Sequence, residues 1–199
     1  MIDKAVDAIQ RGRPIILPTD TVYGLATTAL HAEAVLNLYR LKNRPVTQPT
    51  ALLAPDLDML LELVPELRGR AGVIARALLP GPYTLVLPNP ARRYSWLTGT
   101  NHDAIGVRVP ELPEPSASLL GRAGALAATS ANRPGEPDPA RLDDVPDELK
   151  EAVAVVLDGG ELAGVPSTVL DFTGHEPRVL REGAASGAEA IERALAAVA

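Results

Sequence analysis

Apolar residues at Ile2, Ala5, Val6 and Ile9 recur at the spacing of one helix face, so a helix is expected over residues 2–10. The period then changes. Pro14 and Pro18 bracket Ile15-Ile16-Leu17, a short β-branched run of the kind that forms a buried strand. Helical spacing returns from His31 to Leu41 through Ala34, Val35, Leu38 and Leu41. A polar loop follows from Lys42 to Pro49, then an apolar run at Ala51-Leu52-Leu53-Ala54. Asp56 stands where it would cap a helix over Leu57 to Val64. A further helix is expected from Glu66 to Leu79, stopped by Pro80-Gly81-Pro82.

Downstream, Tyr83–Leu87, Ile105–Val109, Ala125–Ala128, Val153–Leu157, Thr168–Phe172 and Val179-Leu180 have strand character. Ala188–Val198 is an Ala-rich helix with Ile191, Leu195 and Val198 on one side. Short strands alternating with helices define an α/β domain, and the closely spaced late strands make its sheet mixed. The Pro-rich stretch Arg133–Pro146 is expected to be a long loop, a length usually functional or mobile. Neither an internal repeat nor a low-complexity linker interrupts the pattern.

Composition narrows the function. With 199 residues the chain suits one domain, or at most two small ones. The absence of cysteine excludes disulfides, thiolate metal sites and a Cys nucleophile, and fits a reducing compartment. A cytoplasmic location is expected, because the N-terminus lacks a signal-like apolar run and no stretch approaches a membrane span. The net charge of -6 and aromatic share of 3% argue against a general nucleic-acid binder. Lys4, Lys42 and Lys150 are the only lysines in an arginine-biased chain.

Familiar nucleotide and hydrolase fingerprints are missing: there is no G-x-G-x-x-G, no G-x-x-x-x-G-K-[ST] and no G-x-S-x-G. His31, His102 and His175 lack metal-site spacing. Four polar segments nevertheless sit near strand ends, where α/β folds place ligands. In Pro18–Leu25, extended geometry would put Thr19, Thr21 and Tyr23 on one side; an ordinary strand-to-helix turn reads equally from these residues. In Lys42-Asn43-Arg44-Pro45, the proline disfavours helix at Arg44, so both cations could converge on a phosphate or carboxylate, or simply answer the helix dipole. Ser130 and Asn132 share a side after the run Ala125–Ala128, as a phosphate or metal-water site or as a turn. The last segment joins Pro166-Ser167-Thr168-Val169 to Leu180-Arg181-Glu182-Gly183, where Arg181 could face a ligand or pair with a surface acid. Arg108 interrupts an apolar strand, and a buried arginine needs an anionic partner.

The order of these segments is more telling than any one of them. P-T-D-T-V-Y-G-L-A, K-N-R-P, P-G-P-Y-T-L-V-L, G-V-R-V-P, T-S-A-N, S-T-V-L-D and L-R-E-G together resemble the YrdC/Sua5 family of threonylcarbamoyl-AMP synthases, over about residues 12–185. The chain resembles the short, single-domain form, with residues 186–199 as a C-terminal helix. This resemblance implies one twisted, mixed-sheet YrdC-like (YrdC/RibB) α/β domain with a large concave face. It also implies synthesis of L-threonylcarbamoyladenylate and pyrophosphate from ATP, L-threonine and bicarbonate, as the first step of threonylcarbamoyladenosine formation in tRNA.

On the same basis, Lys42, Arg44, Ser130 and Asn132 would be the catalytic and ATP-binding group, joined at the nucleotide by Arg181. Thr19, Tyr23, Arg108 and Ser167 would serve threonine. Mg²⁺ would arrive with ATP rather than in a protein-built metal site, and no tightly bound cofactor is expected. A downstream tRNA threonylcarbamoyl transferase complex is the expected partner, with tRNA itself at most weakly bound and no membrane involved. Residues 133–146 are a candidate lid. Two departures from the family stand out: Leu53 replaces a histidine found in many members, and Asn43 replaces the commoner Gly between Lys42 and Arg44. Two other readings are an RNA-binding module using the concave face and a carbamoyl-adenylate-forming relative of the hydrogenase-maturation carbamoyltransferases.

Overall fold

The computed structural model describes residues 1–199. In chain order the elements are α1 (Ile2–Gln10), β1 (Ile15–Pro18), β2 (Tyr23–Thr28), α2 (Ala32–Lys42), β3 (Ala51–Leu53), α3 (Leu57–Leu63), α4 (Gly69–Leu78), β4 (Tyr83–Pro88), β5 (Ala104–Arg108), α5 (Ser116–Ala123), β6 (Leu126–Ser130), α6 (Asp147–Ala152), β7 (Val155–Val156), β8 (Thr168–Asp171), β9 (Arg178–Arg181) and α7 (Gly187–Val198). The strands form one nine-stranded sheet in the order β7-β1-β2-β6-β3-β5-β4-β8-β9. Pairs β1/β7, β3/β5 and β4/β8 are parallel and the other five are antiparallel, so the sheet is mixed as expected.

Strand alternation decides where helices pack. Ile16, Leu25, Leu52, Leu85, Leu87, Val107 and Leu170 point to one face and join the larger core with residues of α2, α3, α4 and α7. Their neighbours Ile15, Leu17, Ala26, Leu53 and Leu126 point to the other face and join a smaller core with α1 and α5. On that second face α1 packs against β1, β2 and β7 and against α5. The remaining residues of that face, including Ala51, Thr84, Val86 and Gly106, line an open cleft. β4 shows the asymmetry: Tyr83, Leu85 and Leu87 are buried, whereas Thr84 and Val86 are half-buried.

The structure corrects several sequence expectations. Residues 18–25 are not a strand-to-helix turn but a hairpin, with Pro18 opposite Tyr23. Thr19 closes it: its Oγ donates to the Val22 carbonyl (2.6 Å) and accepts from the Thr21 and Val22 amides. β2 is buried along its whole length, so it carries no polar alternation to betray it. The short helices α5 and α6 sit among prolines and were not expected. The Glu66 helix starts instead at Gly69, and the expected strand Val153–Leu157 pairs only at Val155 and Val156. The cap at Asp56 is present, its carboxylate accepting from the Met59 amide at 2.7 Å.

Candidate active site

The exposed part of the second face forms a cleft of about 590 Å³. Arg44, Ser130, Arg108, Ser167, Arg181 and Thr19 all line it, although they come from segments up to 162 positions apart in the chain. Their convergence follows from the strand order. β6 and β3 bring Ser130 and the loop carrying Arg44 to one end, while β5, β8 and β9 bring Arg108, Ser167 and Arg181 towards the other.

Arg108 is 8% exposed and pairs with Asp20 at 2.6 Å, with Thr21 Oγ a weaker acceptor at 3.4 Å. Burial pulls its guanidinium below the ordinary value, and Asp20 opposes that shift. Asp20 is thus the anionic partner that a buried arginine requires. Arg108 Nε is buried without a hydrogen-bond partner, as is Arg44 Nε. These donors are unsatisfied within the protein, and both residues line the cleft.

Arg44 is half-buried and donates to the Pro49 carbonyl at 2.6 Å, which anchors its guanidinium at the cleft wall. Burial lowers its pKa as well. Asn43 explains the spacer of the K-x-R segment. It is the C-cap of α2 with φ 52°, in the left-handed region where Gly and Asn are the favoured residues. That reversal also separates the two cations. Lys42 ends the helix and turns inward, whereas Arg44 lies beyond the cap and reaches the cleft.

The expectation that Lys42 and Arg44 point the same way is therefore corrected. Lys42 is 5% exposed and does not line the cleft. Its ammonium donates to the Ser130 carbonyl at 2.7 Å and also to the carbonyl and the side-chain Oδ1 of Asn132. Burial lowers its pKa to about 8, reinforced by Arg44 and opposed by Asp138 and Glu136. Asn132 is likewise buried and off the cleft wall. Ser130 is the member of that pair on the wall, its Oγ donating to Asn132 Oδ1 at 2.7 Å.

Tyr23 also departs from expectation. It is fully buried and faces away from Thr19 and Thr21, because the hairpin turn breaks the alternation. Its hydroxyl donates towards Asp158 Oδ1 (2.9 Å) and the Gly160 carbonyl (2.8 Å) and accepts from the Gly159 amide. Tyr23 thereby fastens the 158–160 loop instead of lining the cleft.

At the other end, Arg181 donates twice to the Ser167 carbonyl (3.1 and 2.8 Å) and once to its Oγ (3.2 Å). Ser167 Oγ also lies 2.9 Å from Thr84 Oγ1. Gly183 makes this packing feasible: a Cβ there would stand 2.1 Å from the Pro166 carbonyl oxygen. Leu53, where the family resemblance would place a histidine, lines the cleft.

Sequence reasoning missed Thr84, Asp138, Asp171 and Arg178 as lining residues. Thr84 alone had a signal, as the polar member of the alternating P-Y-T-L-V-L run. Asp138 accepts from Asn132 Nδ2 at 3.2 Å. Burial raises the Asp171 carboxyl, but bonds from Thr173 and Arg178 outweigh it and hold the pKa below its ordinary value. The 133–146 segment is tied to the body through Tyr23 N–H to the Pro139 carbonyl and Leu162 N–H to the Ala140 carbonyl, both 2.8 Å.

The molecule is thus a one-sheet α/β domain whose open cleft is lined by guanidinium and hydroxyl groups. The Sua5/YciO/YrdC family model, described as telomere recombination, matches residues 7–183. A threonylcarbamoyl-AMP synthase of Xanthomonas campestris is 35% identical over 177 residues, covering 85% of this chain and 92% of that protein. The Pyrococcus abyssi Sua5 structure complexed with L-threonine superposes with a TM-score of 0.83 at 32% identity, covering 96% of this chain and 56% of that one. The Escherichia coli YciO structure gives a TM-score of 0.79 at 29% identity, covering 93% and 90%. The chain belongs to the Sua5/YciO/YrdC family. No helix is long and apolar enough to cross a membrane.

Proposed function

We propose that this protein is an L-threonylcarbamoyladenylate synthase, acting in the cytoplasm on ATP, L-threonine and bicarbonate. The observation that carries this reading is the gathering of Arg44, Arg108 and Arg181 with Ser and Thr hydroxyls in one cleft, in a chain 35% identical to a protein named for that activity. The threonine amine forms a C–N bond to carbon dioxide derived from bicarbonate, releasing a proton and giving an N-carboxylate. A carboxylate oxygen then bonds to the α-phosphorus, the bond to the β-phosphate oxygen breaks, and pyrophosphate leaves with the electron pair. Such a transfer needs placement and charge neutralisation rather than a protein nucleophile.

Each cleft group has a defined chemical use. Arg44 holds phosphate oxygens from the cleft wall, and Arg181 adds positive charge at the nucleotide. Arg108, Thr19 and Ser167 bound the threonine end, the Arg108 guanidinium supplying positive charge for a carboxylate. Magnesium brought with the triphosphate would supply charge neutralisation at the leaving group. The cleft suits a hard cation held mostly by phosphate and water, since Asp138 and the Ser130 hydroxyl offer oxygen lone pairs there. The adenylate then passes to the transferase complex that modifies tRNA.

The test is pyrophosphate release from ATP, bicarbonate and threonine. Release that depends on threonine and bicarbonate is the expected result. Release indifferent to threonine, or none at all, overturns the reading.

A further inference from the structure

We propose that Lys42 and Asn132 never touch the nucleotide and instead act as positioning residues that lock the end of β6 and aim the Ser130 hydroxyl. This deepens the proposed function and rests on it for the identity of the ligand. A hydrogen-bond inventory carries the inference. An ammonium has three donors, and Lys42 directs all three at protein acceptors: the Ser130 carbonyl, the Asn132 carbonyl and Asn132 Oδ1. A side-chain amide has two donors and two acceptor positions. Asn132 Nδ2 spends its two on the Glu136 carbonyl (2.6 Å) and Asp138 Oδ1 (3.2 Å). Asn132 Oδ1 receives Lys42 Nζ and Ser130 Oγ. Both residues are saturated and buried, so neither has a hydrogen bond left for a phosphate.

Saturation fixes the direction of Ser130. Its hydroxyl hydrogen points at Asn132 Oδ1, so its lone pairs are what the cleft receives. It therefore accepts from a ligand donor, such as water on a phosphate-bound magnesium or a ribose hydroxyl, rather than donating to a phosphate oxygen. Asp138 and Glu136 supply acceptors behind Asn132 and favour the charged ammonium, while Arg44 disfavours it. Burying that ammonium disfavours the fold, which is accounted for if its position serves the site.

The test is a double-mutant cycle read in Mg-ATP affinity by titration calorimetry. Lys42→Met, Asn132→Ala and Ser130→Ala should each weaken binding. Ser130→Ala in the Lys42→Met background should add less than about twofold, because its hydroxyl is already unaimed. Arg44→Ala should instead multiply its full loss onto Lys42→Met. A Ser130 loss that also multiplies in full overturns the proposal. If Lys42→Met does not fold, the same cycle is run in the Asn132→Ala background, where a Ser130→Ala loss of less than about twofold supports positioning and one that multiplies in full overturns it.

If Mg-ATP does not bind, amide exchange of residues 129–132 in the free protein decides. Faster exchange in Asn132→Ala than in the wild type at pH 7 supports the lock, and equal exchange overturns it. Pyrophosphate release is assayed separately, so loss of the synthase reading and loss of the lock are distinguishable.

Discussion

Removing Asp20 should destabilise the protein far more than its place at a hairpin turn implies. Its carboxylate meets Arg108 at 2.6 Å, and both side chains are 10% exposed. At an effective dielectric of about 20, attraction at that distance is about 6 kcal/mol before desolvation is charged against it. Desolvation consumes much of this, but removing one partner of such a pair leaves the other charge buried and uncompensated, a loss of about 3–5 kcal/mol. Arg108 is the partner that stays charged, since a guanidinium does not neutralise by losing its proton. Thr21 Oγ, at 3.4 Å, is too distant to replace the carboxylate.

Urea unfolding of the wild type, Asp20→Ala, Asp20→Asn and Asp20→Ala/Arg108→Met would measure this. Asp20→Ala should lose about 3–5 kcal/mol, equivalent to a melting temperature about 6–20 °C lower for a chain of this size. Asp20→Asn keeps an acceptor and should lose less. The double variant should be more stable than Asp20→Ala, because no unpaired charge is left inside. A loss below about 1 kcal/mol for Asp20→Ala, as for a surface pair, would refute the buried-pair reasoning.

Other outcomes follow from the same geometry. Arg44→Ala and Arg181→Ala should each lower kcat/KM at least about tenfold, or 1.4 kcal/mol of transition-state binding, while leaving the urea midpoint nearly unchanged. Gly183→Ala should destabilise by about 1–3 kcal/mol and weaken threonine binding, measured by calorimetry, because the new Cβ would displace the Pro166–Thr168 backbone that presents Ser167. Lys42 has a folded pKa of about 8 against an ordinary 10.5. Between these values the unfolded chain binds the proton that the folded one has released, so stability should rise with pH across that window, by at most about 3 kcal/mol. Urea unfolding of wild type against Lys42→Met from pH 7 to 10.5 isolates this contribution, and turnover should fall as the same proton leaves. Asp56→Ala should cost about 1 kcal/mol through the lost α3 cap and leave pyrophosphate release unchanged.

Local pattern alone placed α1, α2, α3, α7 and most strands, because each has a clear period and a punctuating residue such as Asp56 or Pro18. It also singled out six of the polar residues that line the cleft: Arg44, Ser130, Arg108, Ser167, Thr19 and Arg181. β2 escaped because residues 23–28 are buried on both faces and lack alternation. Asp138 escaped because nothing local distinguishes a carboxylate in a Pro-rich loop.

What the sequence determined by itself is the set of chemical groups and the strand ends on which they sit, since side-chain type and period are local properties. Only the tertiary structure decided which of those groups face the cleft. The left-handed cap at Asn43 sends Lys42 and Arg44 in different directions, and the Thr19 turn takes Tyr23 off the wall it would share with Thr19 in an extended chain. Lys42 and Asn132 meet across 90 residues of chain. Whether their polar atoms bind a ligand or one another depends on partners that arrive only when β6 packs beside the end of α2.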